Sequence, residues 1–95
     1  MKVTDAMKEV MKTRNFTQRD LATALEVSQP TINQYLNGQN VKGVFKQTAM
    51  TVDTAFEMLN ALGYSIVLVP NTRLNKLPDD SFVIDERTAP KRNQN

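Results

Sequence analysis

The 95-residue chain contains neither cysteine nor histidine. Without thiols there is no disulfide framework and no thiolate metal site. Without imidazole the chain lacks the usual general base and the commonest metal ligand. An enzyme is therefore not expected, nor is a metal or a cofactor. Long apolar runs are also missing. The longest, "IVLV" at 66–69, is far too short to span a bilayer. The N-terminal "MKVTDAMKEV" mixes acids with lysines and has no apolar stretch or small-residue cleavage site of the signal-peptide kind. These absences lead to the expectation of a cytoplasmic protein with no membrane partner. The paired acids Asp79-Asp80 and Asp85-Glu86 lie in a proline-containing tail, and sequence neighbours need not converge on a site. They read as solvated charges.

Charge is nearly balanced in total but not in distribution. The net charge of +2 and pI of about 9.1 are compatible with nucleic acid without arguing for it. Residues 1–50 carry seven basic and four acidic side chains, whereas 51–70 carry only Asp53 and Glu57. The positive excess sits on the N-terminal half. Ninety-five residues make one domain at most, a size often completed by a partner chain.

Apolar periodicity predicts a first helix over about 5–13, with Thr4 as N-cap and Ala6, Met7, Val10 and Met11 as its stripe. Phe16 is placed to pack before the next helix. A second helix opens at Thr17, with Asp20 three residues on completing a capping box, and Leu21, Ala22 and Leu25 face inward. "EVS" forms a turn, with Val27 pointing inward. Ser28 caps a third helix in which Pro30 is tolerated in the first turn. Ile32, Tyr35 and Leu36 supply its apolar contacts, and Asn37-Gly38 ends it in an αL-type stop. Residues 39–50 read as a loop with a short helical turn around Phe45. Thr51 caps a fourth helix with a wide apolar face of Val52, Ala55, Phe56, Leu59 and Leu62, closed by Gly63. "YSIVLV" reads as a strand covered on both faces, and "SFVID" as a further strand-like patch. Methionines in "MKEVM" and "FEML" read as core filling, and "KRNQN" as a mobile end.

The stretch "TQRDLATALEVSQPTINQYLNG", 17–38, carries the functional signal. A small residue, Ala22, marks a close helix crossing, and the β-branched Ile32 follows ten positions later. This is helix-turn-helix spacing, and it leaves the outer face of the second helix free for a DNA major groove. Taken singly, each glutamine is an ordinary solvated helix residue. In this frame Gln29 and Gln34 have amides suited to adenine N6 and N7, and Thr31 brings a hydroxyl and a methyl. Asn33, Asn37 and Pro30 border the same face. Thr17, Gln18, Arg19 and Ser28 lie at helix starts, where phosphate binds favourably, and Lys42 and Lys46 follow in a loop that can reach the backbone.

Thr17, Gln18, Leu21, Ala22, Leu25, Val27, Ser28, Ile32 and Gly38 stand in step with the pattern of the Cro/Xre phage-repressor helix-turn-helix proteins, which this stretch resembles. Two positions depart from it: Glu26 replaces the usual turn glycine, and Leu36 occupies a place that is often polar. Glu26 must find a strain-free or αL conformation, and Leu36 suggests extra core or a contact with another chain. "MTVDTAFEMLNALGYSIVLVP" looks like the fourth helix and C-terminal strand of the small antitoxins that pair with HipA-type kinases. That resemblance implies pairing of the strands of two subunits through Tyr64, Ile66, Val67, Leu68 and Val69. A lone apolar strand needs a neighbour in any case, either a second copy or "SFVID" folding back.

The expected fold is an all-α, lambda-repressor-like helix-turn-helix domain of four to five helices over 1–63. A short C-terminal β-strand appendage over 64–86 serves dimerisation, and 87–95 form a polar tail. The expected function is a homodimeric regulator on double-stranded DNA, repressing its own operon from a palindromic operator read by the helix 29–37. The alternatives are an antitoxin that also holds a toxin protein and, more distantly, a protein-interaction module without DNA binding.

Overall fold

Hydroxyl residues start three of the four helices, as their spacing predicts. The computed structural model describes residues 1–88: α1 Val3–Arg14, α2 Gln18–Leu25, α3 Gln29–Asn37, β1 Gln39–Val41, β2 Val44–Lys46, α4 Val52–Ala61 and a 3₁₀ helix Asn71–Lys76. The polar end "KRNQN" lies outside the described residues. At α2 the capping box closes: Thr17 Oγ1 accepts the Asp20 N–H at 3.1 Å, and the Asp20 carboxylate accepts the Thr17 N–H at 2.9 Å. Ser28 and Thr51 accept from the N–H of Thr31 and Thr54 in the same way. Helix α1 is the exception. It begins after Lys2 with no side-chain cap, and Thr4, the expected cap, is buried inside the first turn. The chain start runs beside the tail instead, with the Asp85 N–H donating to the Met1 carbonyl and Lys2 bridged to Glu86.

Three helix ends share one device. Asn15, Glu26 and Gly63 take positive φ, and the following residues, Phe16, Val27 and Tyr64, donate their N–H groups to Met11, Ala22 and Leu59. This is the six-to-one bond of a Schellman motif, in which an apolar residue follows the left-handed position. Phe16 and Tyr64 pack against the core. Val27, expected to plug the turn, is instead 42% exposed. The residue it bonds in the motif, Ala22, is small and itself buried, and Val27 is not among the side chains packed on the core. Gly38 ends α3 at φ 78°, ψ −172°. That is an extended mirror conformation reserved for glycine, not an αL stop, and it leads straight into β1.

The core joins one stripe from each helix: Ala6, Met7, Val10 and Met11 of α1; Leu21 and Ala22; Ile32 and Leu36; and Ala55 and Met58 with Leu62 just after α4. Burial of each larger side chain is worth roughly 1.5–3 kcal/mol. Met7, Met11 and Met58 do fill the core, and Leu36 belongs wholly to it, at 1% exposure. Helix α4 differs from its expected face. Ala55, Met58 and Leu62 point inward, while Val52 and Phe56 point out at 74% and 50% exposure. Arg14 lies over the Tyr64 ring at 5.6 Å and its guanidinium rests against Gly63, whose φ of 85° favours glycine.

β structure falls where a loop was expected. β1 and β2 pair antiparallel, Gln39 opposite Lys46 and Val41 opposite Val44, around the two-residue turn Lys42-Gly43. Residues 64–69, expected as a strand, form no ladder among the described residues, and neither does 81–85. Tyr64 and Phe82 are nevertheless in ring contact at 5.9 Å, so the two segments approach without pairing. No helix among the described residues is long and apolar enough to cross a membrane.

Leu21, with no exposure, is the sharpest test of the core. Leu21→Ala is expected to cost about 2–5 kcal/mol in urea unfolding, whereas Thr23→Ala on the exposed side of α2 should stay within about 0.5 kcal/mol.

Candidate nucleic-acid interface

The buried side of α3 determines what its other side presents. At about 100° per residue, Gln34 falls some 160° from both Ile32 and Leu36. It therefore centres the outward face, with Pro30, Asn33 and Asn37 around it, all exposed. Gln29 stands exposed at the first turn. Among the described residues, neither the Gln29 nor the Gln34 amide has a hydrogen-bond partner, so both keep donor and acceptor capacity for an external group.

The remaining polar residues are tied to one another. The Asn33 carbonyl oxygen accepts from the Asn37 amide at 2.8 Å and, more weakly at 3.5 Å, from the Gln18 amide. Gln18 therefore links the start of α2 to the middle of α3, and its N–H group is partly engaged before any phosphate arrives. Asn33, expected only to border the face, joins these two contacts. Thr31 is half-buried, and its hydroxyl lies 2.8 Å from that of Ser28. Its hydroxyl belongs to the cap first, and its methyl is the freer group.

The two helix starts differ electrostatically. At α2 the Asp20 carboxylate occupies the positive end. Hydrogen bonds from the Thr17 backbone and then the Thr17 hydroxyl hold its pKa below the ordinary value, with neighbouring Arg19 contributing. That leaves the Gln18 and Arg19 N–H groups for a phosphate, beside a negative charge. The start of α3 has Ser28 as its cap and no acid in its first turn. An anion or an electron-rich base edge is better received there. From Val27 to Val52 the chain has no acidic residue at all, and Lys42 and Lys46 are its only charges. Both lysines are exposed on the hairpin that continues from α3. Gln39 and Asn40, also exposed there, were missed by the sequence reading because the hairpin was missed.

The turn between the helices accommodates its charged residue. Glu26 adopts φ 59°, ψ 41°, the left-handed conformation that a glycine would enter without steric cost. Its side chain is exposed and does not disturb the α2–α3 packing.

Residues 7–43 match a family model described as Helix-turn-helix. No curated protein and no solved structure gives a significant match. The matched segment spans α1, α2, α3 and the start of the hairpin. The match covers 37 of the 95 residues and supports a helix-turn-helix of the kind found in DNA-binding regulators.

The capping box makes a pH prediction. Because the folded-state pKa of Asp20 is depressed below 3.8, its contribution is complete above that value and is lost as pH falls through the depressed one. Asp20→Asn should flatten the acid limb of the stability profile below about pH 4, measured by chemical unfolding across pH. Thr17→Ala, which removes the hydroxyl acceptor, should cost about 1 kcal/mol at neutral pH.

Proposed function

We propose that the protein is a dimeric repressor that binds a two-fold symmetric operator, reads each half-site with the outer face of α3, and controls its own operon. The reading rests chiefly on the free amides of Gln29 and Gln34, on an uncharged helix surface in a stretch that has lysines and no acids. Amide side chains pair bidentately with adenine in the major groove, each good pair discriminating by roughly 1–3 kcal/mol. Phosphate contacts supply affinity, which then falls with salt.

Exposed surface on the opposite part of the sequence supports dimerisation. Ile66, Val67 and Leu68 are 44%, 71% and 95% exposed in a single chain, and Val52 and Phe56 of α4 add to the apolar surface. Among the described residues, 65–69 make no backbone–backbone hydrogen bond. An extended apolar segment with open main-chain groups is a template for another strand. A cleft of about 560 Å³ beside it, lined by Val3, Ala6, Val10, Leu59, Phe82 and Ile84 among others, gives an incoming segment apolar walls. The same segment of a second copy would satisfy both needs, and a two-fold operator then requires the two copies of α3 to lie about one DNA turn apart. The same unpaired surface supports the second reading, an antitoxin whose partner toxin covers apolar area left over by the dimer.

Two outcomes test this. Gln29→Ala and Gln34→Ala should each reduce discrimination between cognate and scrambled duplexes by about 5- to 100-fold with little change in nonspecific binding. Unchanged discrimination would remove these residues from the reading. Val67→Lys with Leu68→Lys should convert the dimer to monomer in light scattering and weaken operator binding. Purification of the tagged protein from its native cells then separates the readings: a stoichiometric second protein marks the antitoxin, and the protein alone marks the free-standing repressor.

A further inference from the structure

We propose that the β1–β2 hairpin is a second DNA-contacting element, a wing that grips the phosphate backbone flanking the half-site and carries its charge on Lys42 and Lys46. The proposal rests on the reading of α3 as the groove-bound helix. Its own support is the hairpin's attachment, its turn and its reach.

The hairpin starts directly after α3, with Gly38 as the joint. A side chain at Gly38 would meet Phe45 Cζ at 2.5 Å and the Lys46 carbonyl at 2.9 Å, so β2 packs flush against the end of the helix. With φ 78° as well, Gly38 is the residue that permits this close approach of the hairpin to α3. The element is therefore an extension of the recognition helix rather than a loose loop.

The turn is built at a cost that its charge explains. Lys42 and Gly43 both have positive φ, 51° and 79°, as a two-residue type I′ turn demands. Asparagine, aspartate or glycine fits the first of these positions better than lysine. Lysine strains the turn and puts a cation at the tip. Lys46, near the base of the hairpin and opposite Gln39, gives a second. Neither lysine has an ion-pair partner among the described residues, and the surrounding stretch has no acid.

Size decides between phosphates and bases. An α-helix with its side chains is about 10–12 Å across and fills a major groove about 12 Å wide. A hairpin attached to that helix has no room beside it at the base edges. Three residues of strand extend about 10 Å, more than half the groove width, so the tip reaches the backbone that borders the groove. Gln39 and Asn40 add neutral donors on the same element.

The test uses the full-length protein and a duplex selected by it. Lys42→Asn removes the cation and improves the turn, so the hairpin stays folded, and Lys46→Gln removes the second charge. Together they should lower the slope of log affinity against log salt by about 4 for the bound dimer, one per lysine on each of its two wings. Hydroxyl-radical protection outside each half-site should be lost, and the cognate-to-scrambled ratio should stay within about twofold. An unchanged slope and footprint would overturn the wing and leave its apolar residues Val44 and Phe45 to a protein partner. A collapsed ratio would overturn the phosphate assignment in favour of base contact. If the unmodified protein shows no salt-sensitive DNA binding, the reading of α3 fails, and that result is distinct from either failure of the variants.

Discussion

The close packing of α3 on α2 governs the rest of the molecule. Ile32 and Leu36 are drawn into the core with Leu21 and the small Ala22, and each is almost fully buried. Because a helix has one rigid backbone, burying that stripe turns Gln34, Asn33 and Asn37 to the outside in a fixed orientation. The Gln18–Asn33–Asn37 contacts then brace the outer face from α2. Core packing and the proposed recognition face are thus two sides of the same nine-residue helix.

The exposed amides matter because of what surrounds them. Helix α3 carries no charge, so it does not repel a phosphate-lined groove. Of the two acids that precede it on the motif, Asp20 is held in a capping box at the start of α2 and Glu26 stands exposed in the turn. In the proposed reading, recognition is left to hydrogen-bond geometry, and attraction to the flanking lysines. This division matches the physics of duplex binding, in which backbone contacts position the protein and base contacts select the sequence.

Local chemistry made the helix-turn-helix legible. The hydroxyls of Thr17 and Ser28 start α2 and α3, and the Asp20 capping box identifies the start of α2 without tertiary knowledge. Gln29, Gln34, Asn33 and Asn37 follow from helix phase once Ile32 and Leu36 are set inside. Other features depend on context that periodicity does not contain. The hairpin has three-residue strands and a Lys-Gly turn in place of the usual Asn-Gly signal, so residues 39–46 read as a loop. Val27 was placed inside by hydrophobicity, but the Schellman geometry bonds its N–H to Ala22 and leaves it half exposed. Residues 64–69 carry the composition of a buried strand, yet 65–68 lie exposed in a single chain, with Tyr64 and Val69 partly buried. Composition reports that a segment seeks a neighbour, not which chain supplies it.

Selection of binding sites from a random pool of duplexes by the unmodified protein tests the central claim most directly. The account predicts enrichment of a two-fold symmetric sequence with half-sites centred about 10–10.5 base pairs apart and adenines at positions within reach of Gln29 and Gln34. A pool that stays random, or one that yields a single unsymmetric site bound by one copy, would contradict it.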